Sequence, residues 1–557
     1  MSEERRPPDG EKKRGSVRRR LAILLAGTLL FSFFFYLHAY VCDDAFLTLR
    51  VVDNFVRGHG LRWNVAERVQ IFTSPLHTFV LSGAYYFAHD RSLLPNPNRA
   101  YFASLFVSYA ASLATVLLLL SWLRRPLPGL ALLVLLSSSR AFLVFTSSGL
   151  ETPLTYLLLA LFYIRFLRKP PETSSGFLHI LLVAGLAVLN RLDVALLVAL
   201  PVLSTLAAGW RRHGAHIVGP VLAGASPLLA WFAFSLVYYG FFLPNPYCAK
   251  IDPAIDQSIL NEMGRAYLLL GLRQDPITLV VIGLGVLLSL RRGRTALAGI
   301  SCAAYLFYVY RIGGDFIGFR FLAPPFLIAS LVIIMGLAGM RRPHRTPGLA
   351  AAIAALLAYG VLFPSSPLRS LTKAPVEDDV RFYYEGSALS RWRLGMSFPF
   401  TRYHKVQSCA HCRALRETSL SVEVPAGGLL GFCRGPQVHL VTPTGIGDPL
   451  ISRLPARVEE PFYPGHLLKP LPAGYMETLS TGENRIVDPD LAAYYEEIHR
   501  ITRGPLFSKE RWSSIAKLNF TGAGRYRREY VPATPPLPRE LMTPIPSIVD
   551  RLRDETG

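Results

Sequence analysis

The sequence predicts a polytopic α-helical membrane protein carrying a C-terminal water-exposed domain of mixed α/β structure. Three observations predict it. The 557 residues have a mean hydropathy of +0.32, with 51% hydrophobic and only 17% charged residues, less charge than a soluble chain of this size carries. Apolar runs of near-spanning length recur from about residue 20 to about residue 363 and then stop. The remaining stretch, ~190 residues of ordinary soluble composition, has the length of one domain.

The net charge of +21 does not point to nucleic acid. The basic residues sit in short clusters between apolar runs, as the positive-inside rule requires. A basic tail, residues 1–20, carries Arg5, Arg6, Lys12, Lys13, Arg14, Arg18, Arg19 and Arg20 and is expected to stay in the cytoplasm. No small-residue cleavage site follows the first apolar run, so that run is expected to be retained as a span. Further clusters are Arg124–Arg125, Arg165 with Arg168–Lys169, Arg211–Arg212, Arg291 to Arg294 and Arg341 to Arg345.

Threading these clusters to one side predicts about eleven spans, near 21–41, 101–123, 129–146, 153–168, 177–190, 194–209, 217–238, 277–290, 295–310, 321–340 and 346–363. The membrane module is then 21–363, and residues 364–557 form the extracytoplasmic domain. The apolar stretch Ile71 to Ala88 is read as lying in the outer leaflet or dipping back out, because a crossing there would put Arg124–Arg125 outside.

This threading uses only Lys and Arg, yet it sends the unusual polar segments to one face. These are CDDAFLTLR (Cys42 to Arg50), SSGLETP (Ser147 to Pro153), NRLD (Asn190 to Asp193), YYGFFLPNPYCAK (Tyr238 to Lys250) and RIGGDFIGFR (Arg311 to Arg320). Five polar segments at one membrane surface are what a recessed, outward-facing cavity needs. The adjacent carboxylates Asp43 and Asp44 stand just past the first span, where charge is costly unless it is used.

DDAFLTLR, NFVRGHGLRWN, GLETPL, PNPYCAK, GGDF, TGIGDPLISRLP (Thr444 to Pro455) and PGHLLKPLPAGY (Pro464 to Tyr475) resemble a family of bacterial membrane glycosyltransferases of the GT-C fold. Within it they resemble the mycobacterial arabinofuranosyltransferases that form terminal β-(1→2) linkages. The resemblance covers most of the chain. It implies a polytopic GT-C-like module in the bacterial plasma membrane, a polyprenyl-phosphate-sugar donor, an extracytoplasmic glycan acceptor, and a catalytic Asp at Asp43 or Asp44. Arg50, Asn245 and His466 lie inside its motifs and join the substrate-binding set on that ground. Two departures stand out: PNPYCAK lacks the usual Thr after Pro-Asn, and NRLD replaces Arg-Pro-Glu or Arg-Pro-Asp.

The chemistry has its own logic. Glycosyl transfer needs a carboxylate to deprotonate the acceptor hydroxyl or to stabilise an oxocarbenium-like centre; Asp43 as base and Asp44 as an orienting residue is the expected division. A lipid-phosphate leaving group needs cations, and Arg191, Lys250 and Arg320 lie on the polar face; the alternative for each is snorkelling to lipid headgroups. Glu151 is expected to bind sugar hydroxyls or to serve as a helix N-terminal acid. Asp193 either joins it or pairs with Arg191. Asp315 follows Gly313–Gly314, a turn that brings backbone close to a ligand. Asp43–Asp44 with Glu151 or Asp315 have the oxygen donors for a divalent cation, although a phosphate held by Arg and Lys does not demand one. His59 is read as a turn residue.

Cys409 and Cys412 form CAHC, with Cys433 nearby. Outside the plasma membrane a disulfide is the simpler reading than zinc, and pairing within CAHC or to Cys433 both remain open. The segments GLLGFC and QVHLVT read as strands, and Leu491 to Arg503 and Lys509 to Asn519 as helices. A transporter or flippase would show inverted repeats and midplane charges; neither is visible. The alternative enzyme is a GT-C transferase moving another polyprenyl-phosphate sugar to lipid A or protein.

Overall fold

A computed structural model describes residues 9–88, 96–123, 125–168, 171–252, 255–290, 293–315, 318–339, 342–362, 387–393, 400–401, 406–407, 421–423, 428–456 and 465–533. The chain is a helical membrane body with a smaller C-terminal domain docked on one end.

The body comprises α1 (Asp9–His38), α2 (Asp43–Val56), α3 (Pro75–Ala88), α4 (Pro97–Leu123), α5 (Pro126–Ser138), α6 (Arg140–Val144), α7 (Thr152–Arg168), α8 (Ser174–Asn190), α9 (Ala195–His213), α10 (Val218–Tyr238), α11 (Asn245–Lys250), α12 (Gln257–Gln274), α13 (Pro276–Ser289), α14 (Gly293–Arg311), α15 (Ala323–Ala338) and α16 (Arg342–Leu362). Each of the eleven predicted spans falls on a helix, but the count of crossings is corrected. Among the described residues four stretches are long and apolar enough to cross a membrane: Arg20–His38, Pro97–Leu123, Leu192–Tyr238, which at 47 residues takes in both α9 and α10, and Arg320–Ala338. A fifth is obtained if α12 and α13, bent by 106° at their junction, count as one. The shortfall is one of length. Pro126–Ser138 and Ser174–Asn190 are apolar but shorter than a bilayer core requires.

Packing gathers these helices around two large cores. α7 lies against α4 and α8, α10 runs along α8, α13 pairs with α15, and α9 with α14. Phe142, Tyr156, Phe162, Tyr163, Tyr305 and Phe326 are fully buried in the larger core. The second core joins α1, α2 and α4 through Phe35, Phe46, Leu49 and Tyr101, and it also takes in Leu429 and Phe432 of the C-terminal domain.

The acidic segment, expected only as a polar stretch just past the first span, forms the first half of helix α2, with Cys42 as its N-cap. Asp43 and Asp44 occupy its first turn, where the exposed N–H groups favour negative charge. Ala45, Phe46, Leu49, Val52 and Asp53 recur at helical spacing and are buried.

In the C-terminal domain the described elements are β1 (Phe400–Thr401), β2 (Val406–Gln407), β3 (Ser421–Glu423), α17 (Gly428–Cys433), β4 (Val438–Leu440), α18 (Tyr475–Thr481), α19 (Pro489–Arg503) and α20 (Lys509–Phe520). β1 and β2 pair antiparallel, and β3 pairs with β4 in parallel, Ser421 opposite Val438. The two helices expected near the C-terminus are present as α19 and α20. GLLGFC, expected as a strand, is helix α17. Its first amides are held by Asp43, far away in sequence, a cap that local sequence cannot reveal. Cys409 and Cys412 lie outside the described residues.

Candidate active site

Four of the five polar segments predicted to share one face contribute to one cluster; the fifth, Tyr238 to Lys250, meets the C-terminal domain instead. The turn before α7 sets one side. Gly149 has φ +79°, and a Cβ there would sit 2.7 Å from Val41 and 2.9 Å from Ala45, so the chain passes too closely for another residue. Glu151 follows. Asn190, at the end of α8, donates its side-chain amide to the Glu151 carbonyl at 3.1 Å and to Thr155 Oγ1 at 2.9 Å. That tie places Arg191 beside Glu151.

Arg191 is saturated. Its Nε and Nη2 donate to the two oxygens of Asp193 at 2.9 and 2.7 Å, and its Nη1 donates to Glu151. Tyr305 donates its hydroxyl to Asp193 Oδ2 at 2.7 Å. Opposite, Arg320 forms an ion pair with Asp315 at 2.7 Å. Its Nε is buried without a hydrogen-bond partner among the described residues. Phe319, just before it, has φ +65°, an uncommon conformation for a bulky residue. Arg191 and Arg320 both lie over the ring of Phe321, at 5.3 and 5.4 Å from its centroid.

Asp43 and Asp44 diverge. Both oxygens of Asp43 are taken by backbone amides of α17, Leu429 at 2.9 Å and Gly428. A Cβ on Gly428 would lie 2.2 Å from the Asp43 carbonyl, so only glycine allows the approach. Burial pushes the Asp43 carboxyl up to about 6, against the two amides that favour its charged form. Asp44 is partly exposed, makes no hydrogen bond or ion-pair contact among the described residues, and lies within electrostatic range of Arg320. Asp44, Glu151, Asp193 and Asp315 therefore share one neighbourhood with Arg191 and Arg320.

Four predicted site residues, Arg50, Asn245, Lys250 and His466, stand elsewhere, where the two parts of the protein meet. Arg50, 2% exposed, donates to the carbonyls of Trp63 at 3.0 Å, Val438 at 2.8 Å and Gly431, and its guanidinium lies 4.9 Å from the Trp63 ring centroid. Asn245 donates to the carbonyls of Gly445, Ile446 and Asp448 at 2.8 to 3.1 Å and accepts from Ser452 and Arg453. The motifs PNPYCAK and TGIGDPLISRLP thus meet through one side chain. Lys250 ends α11, with its stem beside Gly465 and hence next to His466 in sequence. Lys250 makes no ion pair or hydrogen bond among the described residues.

Sequence reasoning missed His77 and Tyr305. His77, in the first turn of α3, is 2% exposed, and neither ring nitrogen makes a hydrogen bond of normal geometry; the ring lies beside the Gly149 backbone and Glu151. No motif marks it, because its neighbours come from a segment 70 residues away. Tyr305 lies inside an apolar helix, where a tyrosine reads as core. No group of three or more His, Cys, Asp or Glu among the described residues is arranged to hold a metal ion; the carboxylates are instead turned to guanidinium and amide groups.

No protein-family profile matches the chain. A terminal β-(1→2)-arabinofuranosyltransferase of Mycobacterium tuberculosis (strain ATCC 25618 / H37Rv) is 28% identical over 250 residues, which are 42% of this chain and 38% of that protein. The match therefore spans well under half the length of that relative. Two crystal structures of ArnT from Cupriavidus metallidurans are also similar. The one bound to undecaprenyl phosphate overlays with a TM-score of 0.43 at 15% identity, over 68% of this chain and 69% of that one. The apo form gives 0.42 at 16%, over 67% and 68%.

Proposed function

We propose that the protein transfers a sugar from a polyprenyl-phosphate donor to an extracytoplasmic glycan, with Asp44 as the general base. The observation that carries this reading is the pairing of the carboxylates. Asp43, Glu151, Asp193 and Asp315 each hold a partner, whereas Asp44 stands at the same cluster with no hydrogen bond or ion pair among the described residues. In this mechanism the acceptor hydroxyl attacks the anomeric carbon, Asp44 takes its proton, and the bond from anomeric carbon to phosphate oxygen breaks. Polyprenyl phosphate leaves.

Charge assigns the remaining roles. Four carboxylates face two guanidiniums, so the cluster is net negative. It suits an oxocarbenium-like centre and repels a phosphate. Arg191, already bidentate to Asp193 and bonded to Glu151, serves as the pillar that positions both acids. Lys250, which has no acidic partner among the described residues, together with His466, is assigned the donor phosphate. The sequence match favours arabinofuranose as the sugar.

The test is transfer by purified enzyme from a panel of polyprenyl-phosphate sugars that includes decaprenyl-phosphoryl-arabinose. Glycan, lipid A and peptide acceptors are offered in parallel. Transfer of arabinose to a glycan is expected; transfer of another sugar to lipid A or protein selects the alternative, and no transfer from any donor rejects the enzyme reading.

A further inference from the structure

We propose that the C-terminal domain rests on the bilayer through a rim formed by Phe242, Tyr247, Ile251 and Phe520, which contacts the phospholipids of the leaflet on its side. The proposal does not depend on which reaction the protein catalyses.

Helix α10 has 21 residues, about 30 Å at 1.5 Å per residue, which is the thickness of the hydrocarbon core. Arg211 and Arg212, in the last turn of α9, precede its start and mark one membrane surface. Tyr238, at its end, therefore stands at the opposite boundary. Helix α20 is fastened to that end. Arg511 donates to the Tyr238 carbonyl at 3.1 Å, and Asn519 donates to the Gly240 carbonyl at 2.8 Å. A Cβ on Gly240 would strike Ile501 at 2.3 Å, so α19 and α20 press directly on this turn.

Large apolar side chains are exposed at this level. The rings of Phe242 and Phe520 meet edge to face with centroids 6.1 Å apart, yet Phe520 remains 69% exposed. Tyr247 and Ile251, on and just after α11, are also exposed. Arg525 donates to the Ile251 carbonyl, and exposed Lys517 lies one turn before Phe520. Aromatic rings with flanking basic residues at the edge of a hydrocarbon core match the headgroup layer, where rings are favoured and cations meet lipid phosphates. Leu222, Leu229 and Phe234 of α10, the helix that leads into this turn, are exposed as well; a rim at the end of an apolar helix surface favours lipid over a protein partner.

The experiment uses the full chain in liposomes and tryptophan fluorescence. Phe520→Trp and, separately, Phe242→Trp are compared with the native protein, so that the six native tryptophans are subtracted. Val487→Trp serves as the control; Val487 is exposed just before α19, about 20 Å along that helix from the end that meets Gly240. Lipid brominated near the headgroup is expected to quench most of the added emission at 520 and 242 and to leave that at 487. Added emission at both 520 and 242 that resists brominated lipid but is quenched by aqueous iodide overturns the proposal. So does emission shielded from both quenchers, which would indicate a protein partner on the rim.

Discussion

Leu429 donates its backbone N–H to the Asp43 carboxylate at 2.9 Å, across 386 positions of sequence. This bond ties the first turn of α2 to the first turn of α17. It makes Asp43 a joint between the two parts of the protein and leaves its neighbour Asp44 to the cluster.

The two aspartates are therefore expected to fail differently. Asp44→Asn keeps shape but cannot accept a proton, so transfer should fall about 10²–10⁴-fold with donor binding and melting temperature retained. Asp43→Asn replaces one acceptor oxygen with a donor facing an amide, and should cost about 1–3 kcal/mol of stability. Transfer, donor affinity and thermal unfolding measured on both variants separate the roles. Near-native transfer by Asp44→Asn removes it from the chemistry.

Arg191 and Lys250, equal candidates for phosphate in the sequence, are expected to part company. Arg191→Ala strands Glu151 and Asp193 in a buried site, which should destabilise the protein by about 3–5 kcal/mol. Lys250→Ala breaks no ion pair. It should leave unfolding unchanged and weaken donor binding by about 1.5–3 kcal/mol, the range for a hydrogen bond to a charged group. Donor titrations alongside melting curves read both effects; unchanged donor affinity in the Lys250 variant would return that residue to the snorkelling class.

Stability should fall as pH rises through the acidic range. Burial, with Glu67 nearby, pushes the Asp448 carboxyl from 3.8 up to about 7. Below its unfolded value the group is protonated in both states. Between the two values the unfolded chain ionises while the folded one keeps its proton, so stability is lost until the folded value is passed. Asp43, raised to about 6, acts in the same direction. Chemical unfolding at about pH 5 and about pH 7.5 should show the slope, and Asp448→Asn should flatten it. An equal slope in that variant would assign the dependence to other groups.

Topology gives a fourth prediction. Positive-inside reasoning places Arg211 and the C-terminal domain on opposite sides. Single cysteines introduced at Arg211 and at Ser513, both exposed, should react with a membrane-impermeant reagent from opposite faces. Labelling from the same face would break the parity on which the polar face was threaded.

Apolar periodicity and the basic clusters sufficed to locate the apolar helices of the membrane body, though not α2, α11 or α12, because a helix in hydrocarbon must satisfy its own backbone and display apolar side chains. The number of crossings was not legible, since α5 and α8 are apolar but short and α12 and α13 are bent against each other. Convergence of Glu151, Arg191, Asp193, Asp315 and Arg320 could be anticipated from their common face. The placement of Arg50 and Asn245 could not. Their motifs mark polar contacts to backbone, and only the fold shows that the backbone belongs to the C-terminal domain.

The sharpest division lies between Asp43 and Asp44. As sequence they are the same residue type at adjacent positions, and the chain by itself determined only that a carboxylate pair stands just past the first span. Tertiary structure decided between them. Once the segment is helical, adjacent side chains point about 100° apart. That rotation directs Asp43 to the amides of Gly428 and Leu429 and Asp44 toward Arg320. Neither the helix nor its distant partners can be read from the two letters alone.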